Sequence, residues 1–472
     1  MALRSFAAAA VATLGLLLLA PLATDGQRAA TSPGPYALTD LGTLRNVQSA
    51  HAFDINEAGQ ITGYAGSHAF LWEDGVMTDL GTLGGSGSVG QAINESAQIA
   101  GYSSLFTAGA GNRAALWDHG SIINLTPDLT GSQTSWANGI NDLRQIVGTI
   151  NSDTPFLWQN GTITTLPHLG GGGGNASDIN NAGQIVGSSR IAQQSQVLGP
   201  MPRAALWQNG TVTNLGAFPG DEDSGAAAIN EVGQIVGSSG RTDPDTYEQF
   251  YRSFLYENGQ MKALPVPSSE SYAADINDAG VIVGTMRAPG GVSPWHAYIY
   301  ADGVVTDLNS RIPQPSPLHL RFAYAISNAG RIVGVAYDSQ GSYHAYLLTP
   351  VDPGTPSVTI GDSSVTEGDT GTRTMSFNLT LSAAAGGPVT VSYATANGTA
   401  IAGTDYQAAS GSVTFNPGQT TATIPVLVIG DRTTEPNETF VVNLTSITGT
   451  AFIADAQGVG TIVDDDPKGK KR

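Results

Sequence analysis

Eight acidic residues in the last quarter of the chain offer its clearest chemistry: Glu367, Asp405, Asp431, Glu435, Glu438, Asp464, Asp465 and Asp466. They fall in the turns between short alternating apolar stretches. Calcium takes roughly six to eight hard oxygen ligands in flexible geometry, and carboxylates supply them readily. If the stretches are strands of a sandwich, alternate loops gather at one end. Carboxylates brought together there repel one another unless a cation or protons neutralise them. Acids gathered this way would suit a hard cation such as calcium. Solvated acids that cap turns are the competing reading.

Other chemistry is sparse. The chain has no Cys, which excludes disulfides, thiolate metal sites and cysteine nucleophiles. His68, His296 and His344 each open a recurring aromatic stretch, so repetition marks them as structural positions. There is no Gly-x-Ser-x-Gly elbow, no His-Glu-x-x-His and no phosphate loop; Gly170–Gly174 is followed by neither Lys nor a helix pattern. Asp221-Glu222-Asp223 reads as a solvated acidic turn, and the Asn-Gly-Thr sequons at Asn160 and Asn209 read as hairpin turns. No catalytic residue is predicted.

The elements that must position these residues are legible from repetition. A phrase of the form Ile-Asn-x-x-x-x-Ile-x-Gly, with Gln before the second Ile in five copies, recurs with its Asn at 56, 94, 141, 180, 230 and 277, and a seventh copy carries Ser327. The mean step is about 45 residues. Each copy is followed by an aromatic stretch such as His68-Ala-Phe-Leu-Trp72. In most copies an Asn-Gly or Asp-Gly turn and a short apolar stretch ending in Leu follow. Asn-Gly and Asp-Gly between aromatic and β-branched runs are hairpin signals. Each period thus holds four short strands, the size of a propeller blade.

A small residue lies four before every marker: Ala52, Gly90, Ala137, Ala176, Ala226, Ala273 and Ala323. Crowding of innermost strands around an axis would demand that. The seventh copy stops at Leu348 without its fourth strand, while Tyr36–Gly42 is a fourth strand without its first three. Pairing the two ends would close a ring and remove an exposed edge. The expected fold is all-β: a seven-bladed β-propeller over residues 28–350, a Pro/Gly linker at 351–356, and an immunoglobulin-like β-sandwich at 357–466.

The ends of the chain carry two further expectations. Residues 1–27 place Arg4 before an apolar run from Phe6 to Ala20, which reads as a secretory signal. No later stretch is long and apolar enough to span a membrane, so the mature chain is expected to be secreted or on the cell surface. Residues 467–472 are a short basic tail. A net charge of −19 over 472 residues argues against nucleic-acid binding, which needs clustered Lys and Arg.

The linked phrases His68-Ala-Phe-Leu-Trp72, Asp79-Leu-Gly-Thr-Leu-Gly-Gly85 and Ala92-Ile-Asn94 resemble the HAF-family extracellular repeat, over roughly residues 36–350. The resemblance implies an exported bacterial repeat protein. Val365-Thr-Glu-Gly368, Gly398 to Tyr406, Ser410 to Phe415, Asp431 to Leu444 and Gly460 to Asp466 resemble the Calx-beta domain. That implies calcium as the bound ion, with ligands at Glu367, Asp405, Asp431, Glu435, Glu438 and Asp464–Asp466. Gly430 stands where calcium-sensing members carry a second acid, which removes one ligand.

Taken together, the expectation is a non-catalytic binding or adhesion protein. Its ligand would be an extracellular glycan or cell-surface protein. A secreted carbohydrate-active enzyme using the propeller axis is the alternative.

Overall fold

The computed structural model describes residues 34–466, apart from 45, 46, 48, 107, 108, 110, 196–198, 244–248, 289–294 and 353. The expected signal segment and basic tail lie outside the described residues. The regular secondary structure of the described residues is strand, apart from one short 3-10 turn at Leu308–Arg311.

Residues 36–350 form seven separate four-stranded antiparallel sheets. In the first, Ala50–Ile55, Ile61–Ala65, His68–Glu73 and Val76–Asp79 pair in chain order. The next five repeat this pattern. The hairpins between third and fourth strands put both turn residues at positive φ: Asp74-Gly75, His119-Gly120, Asn160-Gly161, Asn209-Gly210, Asn258-Gly259 and Asp302-Gly303. That is the type I′ geometry for which Asn-Gly and Asp-Gly are suited.

The seventh sheet is composite. Tyr36–Asp40 pairs antiparallel with Tyr343–Pro350, from Tyr36 opposite Pro350 to Asp40 opposite Tyr346. The end-to-end pairing expected from the sequence is therefore present. A His–Asp contact pins it, with His344 Nδ1 2.8 Å from Asp40 Oδ2. The same contact joins third and fourth strands at His68–Asp79 and His296–Asp307.

The marker Asn does more than open a turn. Asn56 Oδ1 accepts from Gln60 N at 2.9 Å, while Asn56 Nδ2 donates to Gln60 Oε1 and, at 3.1 Å, to the backbone oxygen of Asn94 in the second repeat. This link recurs from Asn94, Asn141, Asn180, Asn230 and Asn277 to the repeat that follows each. Ser327 has no amide with which to continue it. The following residue takes over: Glu57, Glu95, Asp142, Asn181, Glu231, Asp278 and Asn328 form a cycle of side-chain acceptors for backbone N–H groups, and Asn328 N donates back to Glu57.

Between sheets lie apolar clusters. One packs Ala52, Ile61 and Phe70 of the first repeat on Val333 and Leu347 of the seventh. At the second repeat a neighbouring sheet accounts for the small residue before the marker. A Cβ on Gly90 would sit 2.1 Å from the hydroxyl of Thr62 in the first repeat, so packing between sheets sets a size limit at this position. The Gly that ends each Ile-x-Gly phrase is fixed otherwise: a Cβ on Gly63 would meet the His51 carbonyl oxygen at 1.9 Å.

The carboxy-terminal residues form a sandwich. One sheet orders Thr421–Gly430, Gly371–Leu381, Ser357–Ile360 and Phe452–Ile453; the other orders Ser363–Thr366, Gln457–Val463, Glu438–Thr448, Val389–Asn397 and Ser410–Phe415. Along Gly371–Leu381, Met375, Phe377, Leu379 and Leu381 are buried with exposed residues between them. This is the period of two expected of a strand with one covered face. Phe377 packs edge-on to Phe440, and Tyr406 stacks on Phe440 at 4.2 Å.

Candidate metal centre

Strand pairing brings the acidic loops to one end of the sandwich. Ser363–Thr366 runs parallel to Gln457–Val463 with Thr366 opposite Val463, so the residues that follow both strands, Glu367 and Asp464, leave side by side. Gly371 pairs with Gly430, which sets Asp431 at the same end. Glu438 opens the strand opposite Ile462 and closes the loop that carries Glu435.

Two groups of carboxylates result, each with ligand oxygens within 4.8 Å of one another. One is Glu367, Asp464 and Asp466; the other is Asp405, Glu435 and Glu438. Asp431 belongs to neither, yet its charge acts on Glu367 and Glu435, members of both. Asp465 is turned to the backbone, where Oδ1 accepts from Gly368 N at 3.0 Å. Six of the eight residues singled out from the sequence thus fall in the groups, one lies within electrostatic reach of both, and one secures a loop. Asn437, which the sequence reading did not single out, accepts from Asp464 N at 3.4 Å.

The electrostatics are those of like charges held together. Glu367 is 5% exposed. Burial, with Asp431, Asp464, Glu435 and Asp466, pushes its carboxyl up to about 7. Glu435 and Glu438 are raised by burial and by their acidic neighbours, Asp431 and Asp405 foremost. Asp466 Oδ2 is buried with no hydrogen-bond partner. Arg373 is held to the Thr366 carbonyl, and Arg432 lies 3.8 Å from Asp369 at the rim.

Such a set of hard oxygens, one of them buried and unsatisfied, suits a divalent cation of calcium's size and ligand tolerance. The Gly at 430 has a steric cause. A Cβ there would lie 2.0 Å from the Gly368 carbonyl oxygen and 2.7 Å from that of Glu367. The close approach that delivers Glu367 to the group therefore forbids a side chain at 430.

Comparison with known proteins follows this geometry. Residues 352–466 match the Calx-beta domain family. Similar solved structures include the apo-form Calx CBD1 domain, at 25% identity over 24% of this chain and 99% of that one, with a TM-score of 0.21. CBD12 from CALX1.2 is 26% identical over 23% of this chain and 46% of its own length, with a TM-score of 0.22. The calcium binding domain CBD12 of CALX1.1 is also 26% identical, over 24% and 47%, at 0.22. This chain therefore spans under half of those last two. No curated protein matches the chain. Residues 352–466 are a Calx-beta domain within an all-β chain. Among the described residues no helix is long and apolar enough to cross a membrane.

Proposed function

We propose that the protein is an exported, non-catalytic binding protein in which a seven-bladed β-propeller of HAF-type repeats presents an interaction face and the Calx-beta domain binds calcium. The observation that carries the calcium reading is the pair of carboxylate groups, with Glu367 buried among acids. A divalent cation removes that repulsion. Glu367, Asp464 and Asp466 would hold one ion; Asp405, Glu435 and Glu438 would hold a second, with Asp431 in electrostatic reach of both and Asp465 bracing the loop.

The closed cycle of inter-repeat hydrogen bonds and the composite seventh sheet support the propeller reading, because an open array would leave its first and last repeats unlinked. Extracellular calcium modules bind weakly, and without an acid at 430 an affinity of about 10⁻⁴–10⁻³ M is expected.

The test is a thermal melt of the whole chain in chelator and in millimolar calcium. Binding to the folded state alone stabilises it by RT ln(1 + [L]/Kd), about 2.7 kcal/mol at a hundred times Kd. An upward shift is expected that Glu367→Gln abolishes, that Asp465→Ala leaves in place and that magnesium reproduces poorly. Identical melts in the two buffers would return these carboxylates to the role of solvated turns.

A further inference from the structure

We propose that repeats five and six carry a subsite for the pyranose rings of a neutral polysaccharide, built on Tyr251, Tyr272 and Trp295 with Asp223 as hydrogen-bond acceptor. This deepens the reading of the chain as a binding protein and rests on it.

The repeats supply an internal control. Residues that the fold requires recur in all copies: the small residue before the marker, the Ile beside it, the Gly that closes the phrase. The residue five before the marker does not. It is aromatic in four repeats, as His51, Trp136, Tyr272 and Phe322, and it is Val89, Asn175 or Gly225 in the others. The fold therefore leaves this position free, and aromatic side chains occupy it in the first, sixth and seventh repeats, which are consecutive around the closed cycle.

Where the fifth and sixth repeats meet, the tyrosines are anchored. Tyr251 and Tyr272 stack with ring centroids 5.4 Å apart, and Trp295 lies 6.0 Å from Tyr272 at 49°. All three rings are half-buried. Each tyrosine is locked by its own hydroxyl: Tyr251 donates to Asp223 Oδ2 at 2.7 Å, and Tyr272 donates to Glu270 Oε1 at 2.9 Å. Both acceptors are buried, at 8% and 7% exposure. Rings held this way lose little freedom when a ligand settles on them.

The second observation is Asp223 Oδ1, which is buried and has no hydrogen-bond partner. A buried acceptor without a donor is costly, and a ligand hydroxyl beside the platform would satisfy it. Pyranose rings offer that combination, with C–H faces that rest on the negative face of an aromatic ring and hydroxyl donors at the ring edge. Charge narrows the class. Asp221 is paired with Arg252 at 3.0 Å and Glu270 with Arg287 at 3.5 Å, so nearby charges are largely balanced. Around Asp223 the charges of Asp221 and Glu222 are met by Arg203, and this acidic balance disfavours an acidic glycan.

The experiment is native affinity electrophoresis of the full chain in gels containing mixed-linkage β-glucan, galactomannan or arabinoxylan, with alginate and a lysine-rich peptide as the anionic and basic arms. Retardation in at least one neutral gel is expected. Tyr272→Ala and Trp295→Ala should each weaken it about ten-fold, the scale of losing one stacked ring. Tyr272→Phe keeps the ring and should retain most of the affinity, which separates contact from loss of fold; melts of each variant check the same point. No retardation in any neutral gel, retardation unchanged in both alanine variants, or binding confined to alginate or to the peptide would overturn the subsite. Release of reducing ends from the gel polysaccharide would instead overturn the non-catalytic reading, and the calcium melt reports on the other module independently.

Discussion

Glu367 and Gly430 show how one residue's chemistry is set by another's backbone. Glu367 enters its carboxylate group because the segment 367–368 lies against residue 430 so closely that only Gly fits. Restoring an acid with Gly430→Asp should therefore fail as a gain of function. The expected outcome is a lower melting temperature, by about 1–3 kcal/mol of overpacking, with no tighter calcium binding by calorimetry.

A second residue-scale prediction concerns Asp54, Asp178 and Asp275. Each accepts from the N–H of the Ile that follows it and from an Ile of the next repeat, as Asp275 does from Ile276 and Ile326. Burial is the larger effect and, with Asp178 nearby, pushes Asp275 up to about 7, against those two donors. The folded state then holds a proton that the unfolded carboxyl releases near 3.8. Stability from this group is present at low pH and lost as pH rises through about 7. The melting temperature of the full chain should fall between pH 5 and pH 8, and Asp275→Ala, the residue type found at this position in Ala92, Ala228 and Ala325, should flatten that slope.

At the scale of the element, the four-stranded sheet is a unit that cannot cover its own faces, and the marker amide is what couples it to the next. Asn141 makes four side-chain hydrogen bonds, one of them to the next repeat: Oδ1 accepts from Leu143 N and Gln145 N, while Nδ2 donates to Gln145 Oε1 and, across to the fourth repeat, to the Asn180 carbonyl. It is 4% exposed. Asn141→Ala leaves these buried groups unpaired and should cost about 1–3 kcal/mol in chemical denaturation. Ser327→Ala should cost less, because the Ser327 hydroxyl accepts only from Arg331 N, at 3.3 Å.

Across the whole molecule, the strand Tyr36–Asp40 completes the seventh sheet, and the Glu57–Asn328 contact joins the first repeat to the last. Deleting residues 34–42 exposes the edge of Tyr343–Pro350 and removes Asp40 from His344. Loss there should propagate through every inter-repeat contact. The deletion is expected to lower the melting transition of residues 43–350 as one cooperative unit, while the transition of residues 352–466 persists. Hydrogen exchange confined to the seventh sheet would contradict this.

Much of this was written in the chain in a form that needs no third dimension. Period-two alternation marks Gly371–Leu381, and Asn-Gly turns mark the hairpins, because side-chain direction and positive φ are local properties. Seven copies of one phrase fixed the number of sheets, and the unmatched strand at Tyr36 fixed how the seventh is completed. Type and loop position likewise made the eight acids visible.

Partnership was decided only by the tertiary structure. Nothing local divides Glu367, Asp464 and Asp466 from Asp405, Glu435 and Glu438, or turns Asp465 to a backbone amide. Asp221-Glu222-Asp223 reads as a solvated turn, yet Asp223 is buried, with one oxygen bound by Tyr251 from 28 residues away and the other unsatisfied. Gly90 before its marker is visible in the sequence, but the Thr62 side chain of the neighbouring sheet that limits its size is not. Contacts between residues distant in the chain depend on register and on the packing of one sheet against the next, and neither is a property of any short stretch of sequence.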